Sequence, residues 1–223
     1  ARSTQTLNAE YTRPLIAHAA LGPSCAIAKF EHGGFTVWTH SQGIFPLRAD
    51  LAKVLAVAES SIIVIHVEGA GCYGHNGADD AALDAALLAR ALPGRPVRVQ
   101  WMREDEFGWE PYGSAMVVKM SAALDAAGNV INWTHDLLSH GHSTRPGPKE
   151  GANLLAAWHL ENPLARQPQG NPLMLGRDGM ARNAVVTYDF PGEHITAHRV
   201  EEMPLRVSSL RSLGAYANVF AIE

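Results

Sequence analysis

Four glycines, Gly69, Gly71, Gly74 and Gly77, fall within Glu68-Gly-Ala-Gly-Cys-Tyr-Gly-His-Asn-Gly-Ala-Asp-Asp80, between a β-branched run and a helix-like stretch. Glycine allows backbone turns that a Cβ forbids, and it lets main-chain N–H groups come close to a bound group. Where such a turn opens a helix, unpaired N–H donors and the positive end of the helix dipole converge on one spot, which suits an anionic ligand. The loop matches neither the dinucleotide fingerprint G-x-G-x-x-G in register nor the phosphate-loop pattern G-x-x-x-x-G-K-[ST], so neither mechanism carries over. The competing reading is a tight β–α connection whose glycines serve packing alone, and spacing does not separate the two.

Other residues could do chemistry of other kinds. Gln42 follows a strand-like run, at the kind of strand end where mixed folds place ligand-contacting side chains; a loop-capping amide is its bland alternative. Arg211 and Gly214 sit in a turn before an apolar helix start, where an arginine can clamp a phosphate or carboxylate or be an ordinary surface charge. His135, His140 and His142 cluster near a glycine turn, and H-x-H is a metal spacing. Against a zinc site stand the absence of a helix carrying two inward histidines and of a carboxylate at diagnostic spacing. Glu104 and Glu106 could do acid–base work only beside a partner of perturbed pKa. His18, among small residues, reads as a hydrogen-bonded core histidine. Cys25 and Cys72 are too few for a disulfide scaffold and read as two buried free thiols, with a single disulfide between them as the alternative.

The elements that must position these residues are legible in outline. Ile62 to Val67 fits a strand buried on both faces, and Val97 to Trp101 reads as the strand that follows. Between them Asp79 and Asp80 open a helix with Leu83, Leu87 and Ala91 on one stripe, ended by Leu92-Pro93-Gly94. Ser24 to Phe30 and Phe35 to Thr39 form a hairpin with Gly33-Gly34 in its turn. Pro46 to Val57 repeats the helix grammar through Leu47, Leu51, Val54 and Leu55. The charges of Met102 to Pro111 read as a solvated loop or short helix. Ala115 to Leu124 and Val130 to Asp136 make a second hairpin around Gly128-Asn129. Residues 143–183 read as an irregular arm with a helix-like island at Gly151 to Leu160, followed by a strand from His194 to Val200. The fold class expected is α+β (mixed α/β), with mixed sheets, packed helices and one βαβ unit around the glycine loop.

Composition narrows the function classes. A chain of 223 residues that is 47% hydrophobic and 18% charged is ordinary for a globular protein. A net charge of −4 supplies no global field toward nucleic acid or an anionic membrane. No run is long enough to span a bilayer as a helix. The chain begins without Met and ends in the apolar Val-Phe-Ala-Ile-Glu, which suggests a fragment of a longer polypeptide.

Three segments together resemble one family: Trp38-Thr-His-Ser-Gln42, Gly69 to Asp80, and Leu210-Arg-Ser-Leu-Gly-Ala-Tyr-Ala-Asn-Val-Phe-Ala-Ile-Glu223. Their order and wording are similar to the molybdopterin-binding subunit of the molybdenum hydroxylases, the xanthine dehydrogenase and aldehyde oxidase family. Within it they resemble the isoquinoline oxidoreductase-like and nicotinate dehydrogenase-like large subunits. The resemblance runs from about Tyr11 to Glu223 and implies the fold of the first molybdenum-cofactor-binding domain. Residues 1–223 would form one such piece, divisible into a glycine-loop α/β part (8–142) and an arm with the C-terminal strand and helix start (143–223).

The resemblance also implies site roles. Gln42 falls where a glutamine approaches the molybdenum oxo ligand. Tyr73 and Gly74 fall where a Phe-Gly pair lies against the metal centre, with Tyr for Phe and the inserted Cys72 as departures, and Gly71 and Cys72 join them as cofactor-binding candidates. Arg211 and Gly214 match the arginine turn that borders the cofactor. The substrate-side glutamate has no counterpart, because Gly77 stands near its place; Asp79 or Asp80 could replace it only through a shifted loop. The family's catalytic base, a glutamate much further toward the C-terminus, and much of the pterin dinucleotide site are not in this sequence, so the piece should not turn over alone. The cofactor implied is molybdenum-pterin, in its cytosine dinucleotide form, with iron–sulfur or haem groups on other domains or subunits. The partners implied are the remainder of the large subunit and an electron-transfer subunit with iron–sulfur and cytochrome c groups. The substrate implied is a small aldehyde or N-heterocycle, hydroxylated with water-derived oxygen. Two readings compete: a non-catalytic binding or assembly module on the same scaffold, motivated by Cys72-Tyr73 and Gly77, and zinc-dependent hydrolysis through His140 and His142.

Overall fold

The computed structural model describes residues 2–167, 179–202 and 204–223. In chain order the strands and helices are β1 (Gln5–Arg13), β2 (Cys25–Glu31), β3 (Gly34–Thr39), α1 (Ile44–Leu55), β4 (Ile62–His66), α2 (Ala78–Ala91), β5 (Pro96–Gln100) and α3 (Arg103–Trp109). They continue with β6 (Tyr112–Gly113), β7 (Met116–Leu124), β8 (Val130–His140), β9 (Glu193–Val200), β10 (Val207–Ser208) and α4 (Ala215–Ile222). The chain divides into two compact units: one gathers residues 1–16, 113–143 and 169–223, the other 17–112 and 144–168. Residues 168–178 of the arm lie outside the described residues. The remaining arm holds a 3₁₀ turn at Leu155–Trp158, inside the helix-like island expected at Gly151 to Leu160.

The glycine-loop unit is built on a four-stranded sheet of order β4-β3-β2-β5. β2 pairs antiparallel with both β3 and β5, while β3 and β4 run parallel. Side-chain alternation sends Ala26, Ala28, Phe35, Val37 and Ile62 into a core completed by Leu47, Leu51 and Leu55 of α1 and by α2. The buried face of α2 is lined with Ala81, Ala82, Ala85, Ala86 and Ala89 around Leu83, whereas Leu87 is half-buried and Ala91 exposed. Small side chains there let the helix lie close to the sheet.

Three local expectations are corrected. β4 is an edge strand, and because the helices cover one face only, Ile63 is 58% exposed. The hairpin turn is His32-Gly33, both at positive φ (51° and 79°), while Gly34 already pairs with Glu31. Both cysteines are free, as expected, but each is half-buried.

The second unit carries a sheet of order β1-β7-β8-β9, antiparallel except for the parallel pair β8/β9. Met116, Val118, Met120 and Leu137 form its core with Met180, Ala184, Ala217 and Ala221, so α4 is held by its alanine face. Tyr11 of β1 meets Phe220 of α4 edge to face, with ring centroids 5.5 Å apart.

Candidate functional site

In the glycine-loop unit, parallel pairing decides which segments share an edge. Thr39 pairs with His66, so residues 40–43 and 67–77 leave the sheet at the same carboxyl end. Both α1 and α2 begin there, after Gly43 and Gly77 respectively. In open sheets with helical crossovers, this edge is where ligands bind. The two segments are laced together: Val67 donates its N–H to Thr39 O (2.9 Å), His66 Nδ1 lies 3.0 Å from Ser41 O, and Thr39 Oγ1 donates to Ala78 O (3.3 Å). A Cβ on Gly69 would lie 2.5 Å from the His40 ring, so glycine is required there by close approach.

The loop crest has an unusual backbone. Gly71 (φ +95°), Tyr73 (φ +56°) and Gly74 (φ +137°) all occupy positive φ within four residues. For a bulky residue such as Tyr73 that conformation is costly, and such outliers cluster at functional sites. Backbone that alternates in hand, as it does across Gly71, Cys72 and Tyr73, can turn successive main-chain N–H groups toward one anion. Tyr73 stands over Gly71, where a Cβ would come within 3.0 Å of its ring, yet 41% of its surface remains exposed; Cys72 is half-buried. Gln42 is exposed at the same edge, and its Oε1 accepts a hydrogen bond from Arg145 Nη2 at 2.8 Å.

Asp79 and Asp80 are buried at the start of α2. Asp79, 4% exposed, is paired with His75 at 3.1 Å; burial works against its charge, but hydrogen bonds from His75 and Ser41 and the charge of Arg145 outweigh it and hold its carboxyl low. Asp80 accepts from the Leu155 N–H at 2.8 Å. Both carboxylates of the first turn of α2 are thus engaged within the protein.

Arg211 and Gly214 belong to the second unit. Arg211 is exposed, just before Ser212 (φ +71°) and Leu213 (φ +55°), in a turn closed by Leu213 N–H to Leu210 O (2.8 Å). Arg13 Nη1 holds that turn through Leu213 O at 2.8 Å, and Gly214 N–H donates to Gly179 O at 3.1 Å. Asn218, fully buried, donates to Met180 O and Arg182 O, both at 2.9 Å, and meets His135 Nε2 at 3.1 Å. Arg182 thus contributes its carbonyl to the support of the turn.

The three clustered histidines are each spent on a separate hydrogen bond: His135 on Asn218, His140 Nδ1 on Val200 O (2.6 Å) and His142 Nε2 on Ser139 Oγ (2.9 Å). Among the described residues no group of three or more His, Cys, Asp or Glu is arranged to hold a metal ion. Glu106 corrects the expectation of a solvated charge run. It is fully buried, accepting from Ser24 N–H and Ser24 Oγ (both 2.7 Å) and from Arg103 Nη1 (2.9 Å).

Glu110, one helical turn further on, accepts from His18 N–H at 2.9 Å and is pushed up to about 7 by burial, with Glu106 adding to the effect. The folded chain therefore holds a proton that the unfolded chain releases above the ordinary glutamate value of 4.5. Its contribution is complete below that value and is lost as pH rises through about 7. Glu110→Gln, which still offers an acceptor to His18, should be neutral near pH 4.5 and stabilise on the order of 3 kcal/mol at pH 8.5. Urea melts at the two pH values check this; equal stability of both proteins at pH 8.5 would contradict it.

Arg145 carries no signal of its own in the sequence, because the arm around it lacks periodicity and Thr-Arg-Pro-Gly marks only a turn. The buried Asp50 is equally easy to pass over, although it falls between Leu47 and Leu51 on the apolar stripe of α1.

A molybdopterin cofactor-binding domain model matches residues 1–163. Across all 223 residues the chain is 38% identical to a nicotinate dehydrogenase subunit of Pseudomonas putida, covering 17% of that protein. Over 131 residues, 58% of this chain and 18% of the relative, it is 31% identical to the aldehyde oxidoreductase molybdenum-binding subunit of Escherichia coli. The fold is shared with quinoline 2-oxidoreductase of Pseudomonas putida 86 (TM-score 0.68, 18% identity, 95% of this chain and 24% of that one). It is shared also with aldehyde oxidoreductase of Desulfovibrio gigas (TM-score 0.65, 16% identity, 99% and 22%). The chain spans about a sixth of the length of the curated relatives it matches. With the family match covering most of its length, this chain belongs to the molybdopterin cofactor-binding domain family.

Proposed function

We propose that this chain supplies part of the cradle for a molybdenum-pterin cofactor in an enzyme that hydroxylates an aldehyde or N-heterocycle. The observation that carries the reading is the carboxyl edge of the first sheet, where Gly71, Tyr73 and Gly74 hold positive φ beside an exposed amide, Gln42. The donors at this edge fit the group: main-chain N–H groups and an amide donate, and the cofactor offers oxo, sulfur and phosphate acceptors. Gln42, Gly71, Cys72, Tyr73 and Gly74 would hold the metal end, while Arg211 would balance anionic charge from a turn braced at Gly214. When bound, the group supplies the two-electron redox chemistry by which a substrate carbon is hydroxylated with oxygen from water.

The names of the relatives, nicotinate dehydrogenase and aldehyde oxidoreductase, support the substrate class. On this reading the cofactor is the cytosine dinucleotide form, and electrons leave through iron–sulfur or haem groups on an associated electron-transfer subunit. The general base and the rest of the pterin site come from the remainder of the large subunit, so the 223 residues alone are inactive.

The test uses the full-length protein expressed with ample molybdate. Near-stoichiometric molybdenum and pterin are expected, and Gln42→Ala should lower turnover of nicotinate or benzaldehyde by about tenfold or more while leaving the melting temperature unchanged. Arg211→Ala should behave alike. Wild-type turnover in both variants would remove the site assignment, and a molybdenum-free protein would favour a non-catalytic assembly module on the same scaffold.

A further inference from the structure

Gln42 can present either of two faces to a ligand. Its amide oxygen only accepts and its amide nitrogen only donates, and the group is planar, so whatever binds one end decides what the other end does. The partner here is a guanidinium, which has no acceptor. A 2.8 Å contact from Arg145 Nη2 therefore fixes the amide oxygen toward Arg145 and leaves the nitrogen as the end that can face a ligand. With a hydroxyl or histidine as partner the amide could turn over; with arginine it cannot.

Arg145 is itself held in place. Its carbonyl accepts from Asn153 Nδ2 at 3.2 Å, and Asn153, 4% exposed, donates its N–H to Asp50 Oδ2 at 3.1 Å. Asp50 is fully buried and also takes Lys53 Nζ and Gln167 Nε2 (3.0 Å), and those two donors bind the carbonyls of Gly147, Lys149 and Gly151. The stretch 145–151 is thus anchored to the buried face of α1, the helix that begins just after Gln42. Asp79 beneath the loop adds an opposite charge that acts on the guanidinium.

We propose that Arg145 is a positioning residue that locks the Gln42 amide with its N–H donors toward the cofactor, making Gln42 a donor only. The inference rests on the function proposed above and adds the identity of the group that orients its amide. A bound oxo group, which only accepts, is matched by that orientation and would be repelled by the opposite one.

The full-length enzyme tests it, with nicotinate and benzaldehyde as probes and three readouts: molybdenum content, kcat against KM, and the Mo(V) electron paramagnetic resonance signal. Arg145→Met should keep its molybdenum, lose about tenfold in kcat with KM little changed, and shift the Mo(V) signal in the same direction as Gln42→Ala. The double variant should be no worse than Gln42→Ala alone, because Arg145 acts through Gln42. Gln42→Glu, which keeps the Arg145 contact but cannot donate, should be as impaired as Gln42→Ala. Arg145→Lys should restore most of the rate.

An Arg145→Met enzyme with wild-type kcat and signal, beside an impaired Gln42→Ala, overturns the positioning role and leaves the cofactor site standing. Gln42→Ala indistinguishable from wild type in all three readouts overturns the site itself. If Arg145→Met fails to load molybdenum, Arg145→Lys decides: rescue of rate and signal supports the proposal, and a loaded but slow Lys variant overturns it.

Discussion

Gly214→Ala is expected to cost about 3 kcal/mol or more and to lower the melting temperature of the protein by about 10 °C. The reason is contact, not conformation. Gly214 has φ −70° and ψ −22°, which any residue adopts, but a Cβ built there would lie 2.1 Å from Met180 O, 2.6 Å from Met180 C and 2.8 Å from Gly179 O. All three are backbone atoms, so no side chain can swing aside.

Relief requires residues 179–181 to move off α4, and that strains two hydrogen bonds made there, Gly214 N–H to Gly179 O and Asn218 Nδ2 to Met180 O. Unsatisfied buried groups then add to the steric cost. The turn bearing Arg211 moves with them, so molybdenum content of the full-length protein should fall as well. Gly108→Ala is the control: a Cβ there meets nothing within 4 Å, and within α3 alanine should be neutral or stabilise by up to about 1 kcal/mol. A Gly214→Ala protein that melts with the wild type would show that the helix start is not seated on Met180.

The same glycine shows what can and cannot be read from residue types alone. Arg211-Ser-Leu-Gly214 is legible as a turn before an apolar helix, because Gly and the apolar run Ala215 to Ile222 are local signals. Why the glycine is there depends on Met180, 34 positions away, and on no pattern near either residue. Local grammar likewise yields β4, the glycine loop, α2 and β5 within one or two residues of their ends. The sheet order is another matter. It places β2 and β3 between β4 and β5, so the βαβ unit is split, and only long-range pairing decides that.

Polar residues are the least legible. Glu106 and Asp50 have the composition of surface and the burial of core; each offsets its desolvation with several donors drawn from distant segments. A weak signal exists in both cases, a carboxylate placed on an otherwise apolar or capped helical face. Tyr73 is the converse case. Its type and neighbours announce the loop, but its left-handed backbone, the feature most telling of a binding crest, is invisible without coordinates.

Acid should unfold the second unit through His142, by an amount that His142→Gln would largely remove. His142 is 2% exposed, and burial, together with the nearby charges of Arg13 and His140, pushes its imidazole down to about 3 from the ordinary histidine value of 6.5. Its hydrogen bonds name the tautomer. Ser139 donates its single hydroxyl proton to Ala115 O at 2.8 Å, so the 2.9 Å contact to His142 requires the ring to donate from Nε2. The folded state thus keeps a neutral ring where the unfolded chain takes up a proton. Between about 6.5 and 3 the unfolded chain binds more protons, so this contribution is complete above pH 6.5 and is lost as pH falls. By pH 4 the loss is on the order of 3 kcal/mol.

Glutamine at position 142 can still donate an amide N–H to Ser139 and has no proton to gain, so the variant should match wild type at pH 7.5 and outlast it at pH 4. Glu110 pulls the other way in the first unit, gaining stability in acid, so His142→Gln should act mainly below pH 6.5 and Glu110→Gln mainly above pH 4.5, with both effects present between. Denaturant melts of wild type, His142→Gln and Glu110→Gln at pH 4, 6 and 8.5 resolve the two slopes. If wild type and His142→Gln lose stability in parallel from pH 6.5 to 4, His142 is not held neutral, and the H-x-H pair would again need an explanation other than burial beside Arg13.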